Sequence, residues 1–192
     1  MPAAPVTPAA FASSLPAGAD LWVFAYGSLM WDPGFPFLET RRGLLRGYHR
    51  RFCIYSTYYR GTPEQPGLVF GLDHGGACRG IVFRVAAKER DAVLDALWTR
   101  EMVTAVYRPK LLPVRCEDGT LVSACAFTVD RAHAQYCRGL SLSESAALIR
   151  RGVGGRGPNL EYLANTVKHL ELLGIVDHGL RELLKAASSE PV

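Results

Sequence analysis

The chain has 192 residues, 48% of them hydrophobic, enough for one globular domain with an adequate core. Its formal net charge of +4 is modest, but 18 of the 22 basic residues are arginine, which favours bidentate binding of carboxylate or phosphate and so allows small acidic substrates. Five cysteines (Cys53, Cys78, Cys116, Cys125, Cys137) form no C-x-x-C, and an odd count without such spacing argues against a disulfide framework or a zinc site.

Residues 1–19 carry no charge and hold Pro2, Pro5, Pro8 and Pro16 among Ala and Ser. A secretory signal would need basic residues ahead of a continuous apolar run, so this stretch reads as a flexible N-terminal tail. No later segment approaches the roughly twenty apolar residues of a membrane span. A cytoplasmic protein with no membrane partner is expected.

The first element is the apolar, aromatic run Leu21-Trp22-Val23-Phe24-Ala25-Tyr26, which predicts a buried strand. It stops at Gly27-Ser28, a small-residue turn whose backbone N–H groups suit an anion such as a carboxylate. Tyr26 and Trp31 flank that turn. A loop follows at Asp32-Pro33-Gly34, then two strands within 39–54 broken near Gly47, then an irregular loop from Ser56 to Gly67. Leu68–Asp73 and Arg79–Val85 flank His74-Gly75-Gly76 and read as a hairpin. Residues 88–101 have helical periodicity. A second hairpin is predicted over 105–115 and 120–129 around Glu117-Asp118-Gly119. Beyond Asp130 the pattern turns helical: Ser141 with Glu144 forms a capping box, 159–173 is amphipathic and closes at Gly174, and 179–187 is a last short helix. Strands first, with one inserted helix and a helical end, predict an α+β fold whose sheet curls into a small barrel. The expected organisation is a tail (1–19), a single domain (20–187) and a C-terminal tail (188–192).

Within the 88–101 helix, Leu94, Leu97 and Trp98 share one face, and Glu101 falls on it at i+7, i+4 and i+3 from them. A carboxylate among apolar side chains, at the helix end where the dipole disfavours negative charge, should resist ionisation. Two readings follow: a structural pairing with Arg100 or Arg108, or a general base tuned toward working pH.

The stretches Trp22-Val23-Phe24-Ala25-Tyr26-Gly27-Ser28-Leu29-Met30-Trp31, Arg51-Phe52, Arg60-Gly61-Thr62 with Gln65-Pro66-Gly67, Leu97-Trp98 through Arg100-Glu101-Met102 with Tyr107, Asn159 with Tyr162-Leu163, and Leu173-Gly174 occur in order along the chain. Together they resemble the ChaC-type, glutathione-specific γ-glutamylcyclotransferases. That resemblance implies a small mixed β-barrel-like sheet with flanking helices. It implies a substrate-binding loop of Tyr26, Gly27, Ser28, Leu29, Met30 and Trp31, and Glu101 as catalytic acid/base. It implies turnover of glutathione to 5-oxoproline and cysteinylglycine with no metal and no cofactor. Arg60, in the irregular loop, is a candidate contact for a substrate carboxylate, and Tyr162 joins it in the binding set. The chain departs from the family pattern where Ala25 stands for a common Gly, and where Gly155 and Pro158 alter the loop before Asn159.

Other chemistries fit less well. Ser28 is not in G-x-S-x-G, which argues against a hydrolase nucleophile, and no Gly-Lys pair occurs, which excludes a P-loop. The glycines at 152, 154, 155 and 157 read as a flexible connection or a lid. Arg41, Arg42, Arg46, Arg50 and Arg51, interleaved with Tyr48 and Phe52, would be split between two faces by strand alternation, which argues against a nucleic-acid surface. The five histidines are scattered. The remaining alternatives are cyclisation of other γ-glutamyl amino acids or amines, and a non-enzymatic γ-glutamyl-binding regulator of cation transport.

Overall fold

Strand β1 (Leu21–Ala25) is apolar on both faces because it is covered on both: Leu21, Val23, Phe24 and Ala25 are all buried. It pairs antiparallel with β3 (Gly67–Val85), from Leu21↔Val85 to Ala25↔Ile81, and parallel with β5 (Leu121–Val129) at Trp22↔Ala124 and Val23↔Cys125. With β2 (Glu39–Ser56) and β4 (Tyr107–Cys116) these strands close into a barrel in the order β1-β3-β2-β4-β5. The computed structural model describes residues 6–189.

The chain forms two compact units, each discontinuous in sequence, where composition suggested a single domain over 20–187. One comprises the described residues up to His49 with Leu72–Asp130; the other comprises Arg50–Gly71 with the described residues from Arg131 on. The two longest strands change unit along their length, β2 at Arg50 and β3 at Leu72. Strands this long are invisible to local pattern reading, which breaks them at their glycines.

That is the origin of two corrections. The break expected near Gly47 is absent: β2 runs unbroken with Gly47 at φ +84°. The hairpin expected around His74-Gly75-Gly76 is also absent. Gly75 (φ +102°) and Gly76 (φ +67°) bend β3 without reversing it, and His49 on β2 stands 2.9 Å through Nδ1 from the Gly75 carbonyl. Left-handed glycines serve bulges as readily as turns, and here the neighbouring strand keeps the ladder going. The second expected hairpin is present. β4 and β5 pair from Tyr107↔Val129 to Arg115↔Leu121 around Gly119 at φ +85°, with Asp118 accepting from Thr120 N at 2.9 Å.

In the first unit α2 (Arg90–Glu101), entered through a 3-10 turn at Ala87–Glu89, packs Trp98 on Phe127 of β5 with ring centroids 5.4 Å apart. Its buried face is Val93, Leu94, Leu97 and Trp98, the face read from the sequence. Part of the stretch expected to be a flexible tail is ordered here. Thr7 caps a short helix, α1 (Pro8–Ala12), and its Phe11 packs on Trp98 with ring centroids 5.3 Å apart. Trp98 also donates Nε1–H to the Val6 carbonyl at 2.8 Å. One buried aromatic is enough to recruit a segment whose composition is otherwise that of a linker.

The second unit holds α3 (Leu142–Arg151), α4 (Asn159–Leu172) and α5 (His178–Ser188). The predicted capping box is present: Ser141 accepts from Glu144 N and Glu144 accepts from Ser141 N. Arg150 donates to the carbonyls of Ala186 and Ala187, joining α3 to the end of α5. Among the described residues no helix is long and apolar enough to cross a membrane. All five cysteines are buried and none is in a disulfide, and burial pushes the Cys125 thiol far up.

Candidate active site

The turn that follows β1 is placed by backbone packing beneath it. A Cβ on Gly80 of β3 would collide with the Ala25 carbonyl and lie 2.8 Å from Phe24 Cζ, so only glycine lets β3 run against the end of β1. Tyr26, 8% exposed, then fastens the turn by donating its hydroxyl to the Phe127 carbonyl of β5 at 2.9 Å. Gly27 (φ −135°, ψ −138°) leads into Ser28–Met30, which form one 3-10 turn. The amides of Met30 and Trp31 bond inward to Gly27 O (2.9 Å) and Ser28 O (3.2 Å), as does Asp32 N to Ser28 O (2.9 Å). The amides of Gly27, Ser28 and Leu29 precede the first such bond, the position from which helix-start N–H groups meet a ligand. Leu29 and Met30 are buried; Trp31 is half-buried.

Glu101 is the last residue of α2, after which Met102 N bonds back to Trp98 O at 2.9 Å. Its side chain is 17% exposed, consistent with its place beside Leu97 and Trp98 on the apolar face. Of the two cations considered for it, Arg108 is committed to Asp130 through Nε (3.0 Å) and Nη2 (2.7 Å). Arg100 is the one whose Nε lies 3.5 Å from Glu101 Oε1. The same guanidinium donates Nη2–H to Ser28 Oγ at 3.0 Å and Nη1–H to the Asp32 carbonyl at 2.7 Å. Residues 28 and 101, distant in sequence, are thereby joined through one cation. Sequence reading treated Arg100 only as a counter-ion for Glu101; its contact with Ser28 left no pattern to find.

Arg60 and Tyr162 lie together in the second unit, with the Arg60 guanidinium 4.8 Å from the Tyr162 ring centroid. Arg60 Nη1 donates to the carbonyls of Arg156 and Pro158, and desolvation pulls the Arg60 pKa down. This arrangement clamps the glycine-rich stretch, which is not the flexible connection expected. Val153–Gly154 and Gly157–Pro158 pair as a miniature hairpin, while Gly155 N and Arg156 N bond to Tyr58 O and Tyr59 O, each at 2.9 Å. Asn159 is fully buried and mimics a strand. It accepts from Leu68 N (2.6 Å) and donates to Leu68 O (2.7 Å). Its part is therefore architectural within this unit.

Among the described residues no group of three or more His, Cys, Asp or Glu side chains is placed to hold a metal ion.

A family model described as ChaC-like protein matches residues 21–190. The chain is similar to a glutathione-specific gamma-glutamylcyclotransferase of Escherichia coli strain K12, at 38% identity over 88% of this chain and 73% of the relative. It is also similar to glutathione-specific gamma-glutamylcyclotransferase 1 of Rattus norvegicus, at 32% identity over 88% of this chain and 79% of that protein. Its fold matches the crystal structure of a yeast gamma-glutamyl cyclotransferase specific to glutathione, with a TM-score of 0.80, 21% identity, and coverage of 88% of this chain and 96% of the other.

Proposed function

The chain belongs to the ChaC-like protein family, and we propose that it is a glutathione-specific γ-glutamylcyclotransferase, a carbon–nitrogen lyase in which Glu101 is the acid/base. The observation that carries the assignment is the pairing of two features. The Gly27–Met30 turn presents amides at the end of a buried strand, and a largely shielded carboxylate is tied to that turn through Arg100, at 3.5 Å from Glu101 and 3.0 Å from Ser28.

The chemistry follows from the substrate. Glutathione docks with the α-carboxylate of its γ-glutamyl part against the amides of Gly27, Ser28 and Leu29. Its own α-amine then attacks the γ-carbonyl carbon. A new C–N bond closes the five-membered lactam of 5-oxoproline, and the original amide C–N bond breaks, releasing cysteinylglycine. The α-ammonium must first lose a proton, and the departing amine must gain one. A single carboxylate does both in turn, so Glu101 leaves the cycle unchanged. Since nucleophile and electrophile share one molecule, holding it in a bent, near-attack shape supplies much of the acceleration. Tyr26, Leu29, Met30 and Trp31 form the wall of that turn. Five buried cysteines outside any disulfide and a thiol substrate both fit a reducing, cytoplasmic setting.

The test is incubation of the purified protein with glutathione and, separately, γ-glutamyl-alanine, following 5-oxoproline by mass spectrometry with Glu101→Gln as control. Product from glutathione alone, absent in the variant, is the expected result. Product from both substrates would widen the substrate class to γ-glutamyl amino acids. Near-normal turnover by Glu101→Gln would remove Glu101 from the mechanism, and no product from either substrate would favour a binding or regulatory protein.

A further inference from the structure

Arg100 and Glu101 are consecutive residues of one helix, and consecutive helical side chains leave the axis about 100° apart and do not face each other. Their 3.5 Å contact therefore needs something that turns the guanidinium back toward the carboxylate. The turn after β1 supplies it. Ser28 Oγ accepts from Nη2 at 3.0 Å and Asp32 O accepts from Nη1 at 2.7 Å, with Asp32 Oδ2 further out at 3.9 Å. A guanidinium is a rigid planar fork, so fixing two of its nitrogens fixes the direction of the third. That third nitrogen, Nε, is the one beside Glu101 Oε1. Gly34, held at φ +72°, completes the seat: the position its Cβ would occupy is 3.5 Å from Nη1. The Arg100 side chain is 21% exposed, and its bond to Ser28 Oγ is part-buried.

We infer that Arg100 is a positioning residue, which transmits the place of the 27–31 turn to the Glu101 carboxylate and so keeps base and bound substrate in register. The inference rests on the reading of Glu101 as acid/base. The role assigned to Arg100 is to orient the Glu101 carboxylate, through which any effect on the reaction passes. Its effect falls on turnover more than on binding, because the turn keeps its own backbone bonds (Met30 N to Gly27 O, Trp31 N to Ser28 O) without it. Lysine cannot replace it, since one ammonium cannot reach three acceptors spread along a fork.

The experiment compares wild type, Arg100→Met, Arg100→Lys, Ser28→Ala, the Ser28→Ala/Arg100→Met double variant and Glu101→Gln in the full chain. Glutathione is the substrate, and circular-dichroism melts report folding. Arg100→Met is expected to lose about tenfold to a hundredfold in kcat, with KM within about threefold of wild type. Arg100→Lys should recover only part of that loss. The Ser28→Ala loss should be smaller, and the double variant should be no worse than Arg100→Met, because both act through one linkage. Wild-type kcat in folded Arg100→Met or Arg100→Lys, beside an inactive Glu101→Gln, overturns the positioning role and leaves the acid/base reading standing. So do losses that multiply in the double variant. Wild-type turnover by Glu101→Gln overturns the acid/base reading and this inference with it. Should Arg100→Met not fold, Arg100→Lys and Ser28→Ala decide the matter alone.

Discussion

The Tyr26 hydroxyl donates to the Phe127 carbonyl at 2.9 Å across 101 positions of sequence, fastening the end of β1 to β5 immediately before the Gly27-Ser28 turn. A buried donor of this kind holds the turn in place more than it offers a group to a ligand. Tyr26→Phe leaves the Phe127 carbonyl without that donor, at a cost of about 1–3 kcal/mol. Chemical denaturation should show that loss, and assays on the folded variant should show a higher KM for glutathione, since the amides it anchors are those proposed to meet the substrate carboxylate.

Gly80 is expected to tolerate nothing larger. Gly80→Ala drives a methyl into the Ala25 carbonyl and the Phe24 ring, both in a strand buried on two faces. Overpacking there should destabilise by about 3 kcal/mol, read as a fall in the denaturation midpoint with an unchanged m-value.

Ala105 offers the opposite change. It is the one described non-glycine residue at positive φ (+56°), in the turn that carries the chain from Glu101 toward β4, where Ala105 N bonds to Met102 O at 3.2 Å. A left-handed alanine costs about 1–2 kcal/mol, part of which glycine returns as unfolded-state entropy. Ala105→Gly should therefore stabilise by about 0.5–1 kcal/mol. A lower melting temperature would refute the strain argument.

Asn159 should be needed for folding of the second unit more than for chemistry. Asn159→Ala leaves both the N–H and the C=O of buried Leu68 without their partner. The expected loss is about 2–4 kcal/mol. Asn159→Asp should be no milder, since a carboxylate would then face the Leu68 carbonyl. The measurement is thermal melting, with kcat per folded molecule close to wild type.

Acid should weaken the first unit through a charged chain on its surface. Asp20 is held below its ordinary value of 3.8, chiefly by the hydrogen bond from Arg84 at 2.7 Å. Glu39 is held below 4.5, chiefly by Arg41 at 2.9 Å and then by Arg84 at 3.2 Å. Folded values below unfolded ones mean the contribution is present above the unfolded pKa values and is lost as pH falls through the folded ones. The melting temperature should drop as pH goes from about 5 to about 3, and Arg84→Met should flatten that drop. An unchanged slope would show that these pairs contribute nothing.

The features read from sequence are those set by neighbours within a few positions. The strand at Leu21–Ala25, its stop at Gly27-Ser28, the buried face of α2 with Glu101 on its edge, the Gly119 hairpin and the Ser141/Glu144 capping box all follow from local periodicity or from side chains three residues apart. The misreadings have one cause. Gly47, Gly75, Gly76 and the glycines of 152–157 read locally as breaks or loose connections, yet Gly47 lies within the unbroken β2, Gly75 and Gly76 stand against His49, and the 152–157 stretch is held by its own pairing and by Tyr58 and Tyr59. A glycine's backbone freedom is written in the sequence; whether that freedom becomes a turn, a bulge or a clamped hairpin depends on what lies across from it.

The same division runs through the site. The sequence by itself determined the two features proposed to carry the chemistry: an amide-bearing turn after a buried strand, and a carboxylate on an apolar helix face, each fixed by a pattern of a few residues. Only the tertiary structure decided how they are joined. Arg100 reaches Ser28 across 72 positions and Tyr26 reaches Phe127 across 101, and hydrogen bonds at that separation depend on the register in which the barrel closes, which no local periodicity encodes.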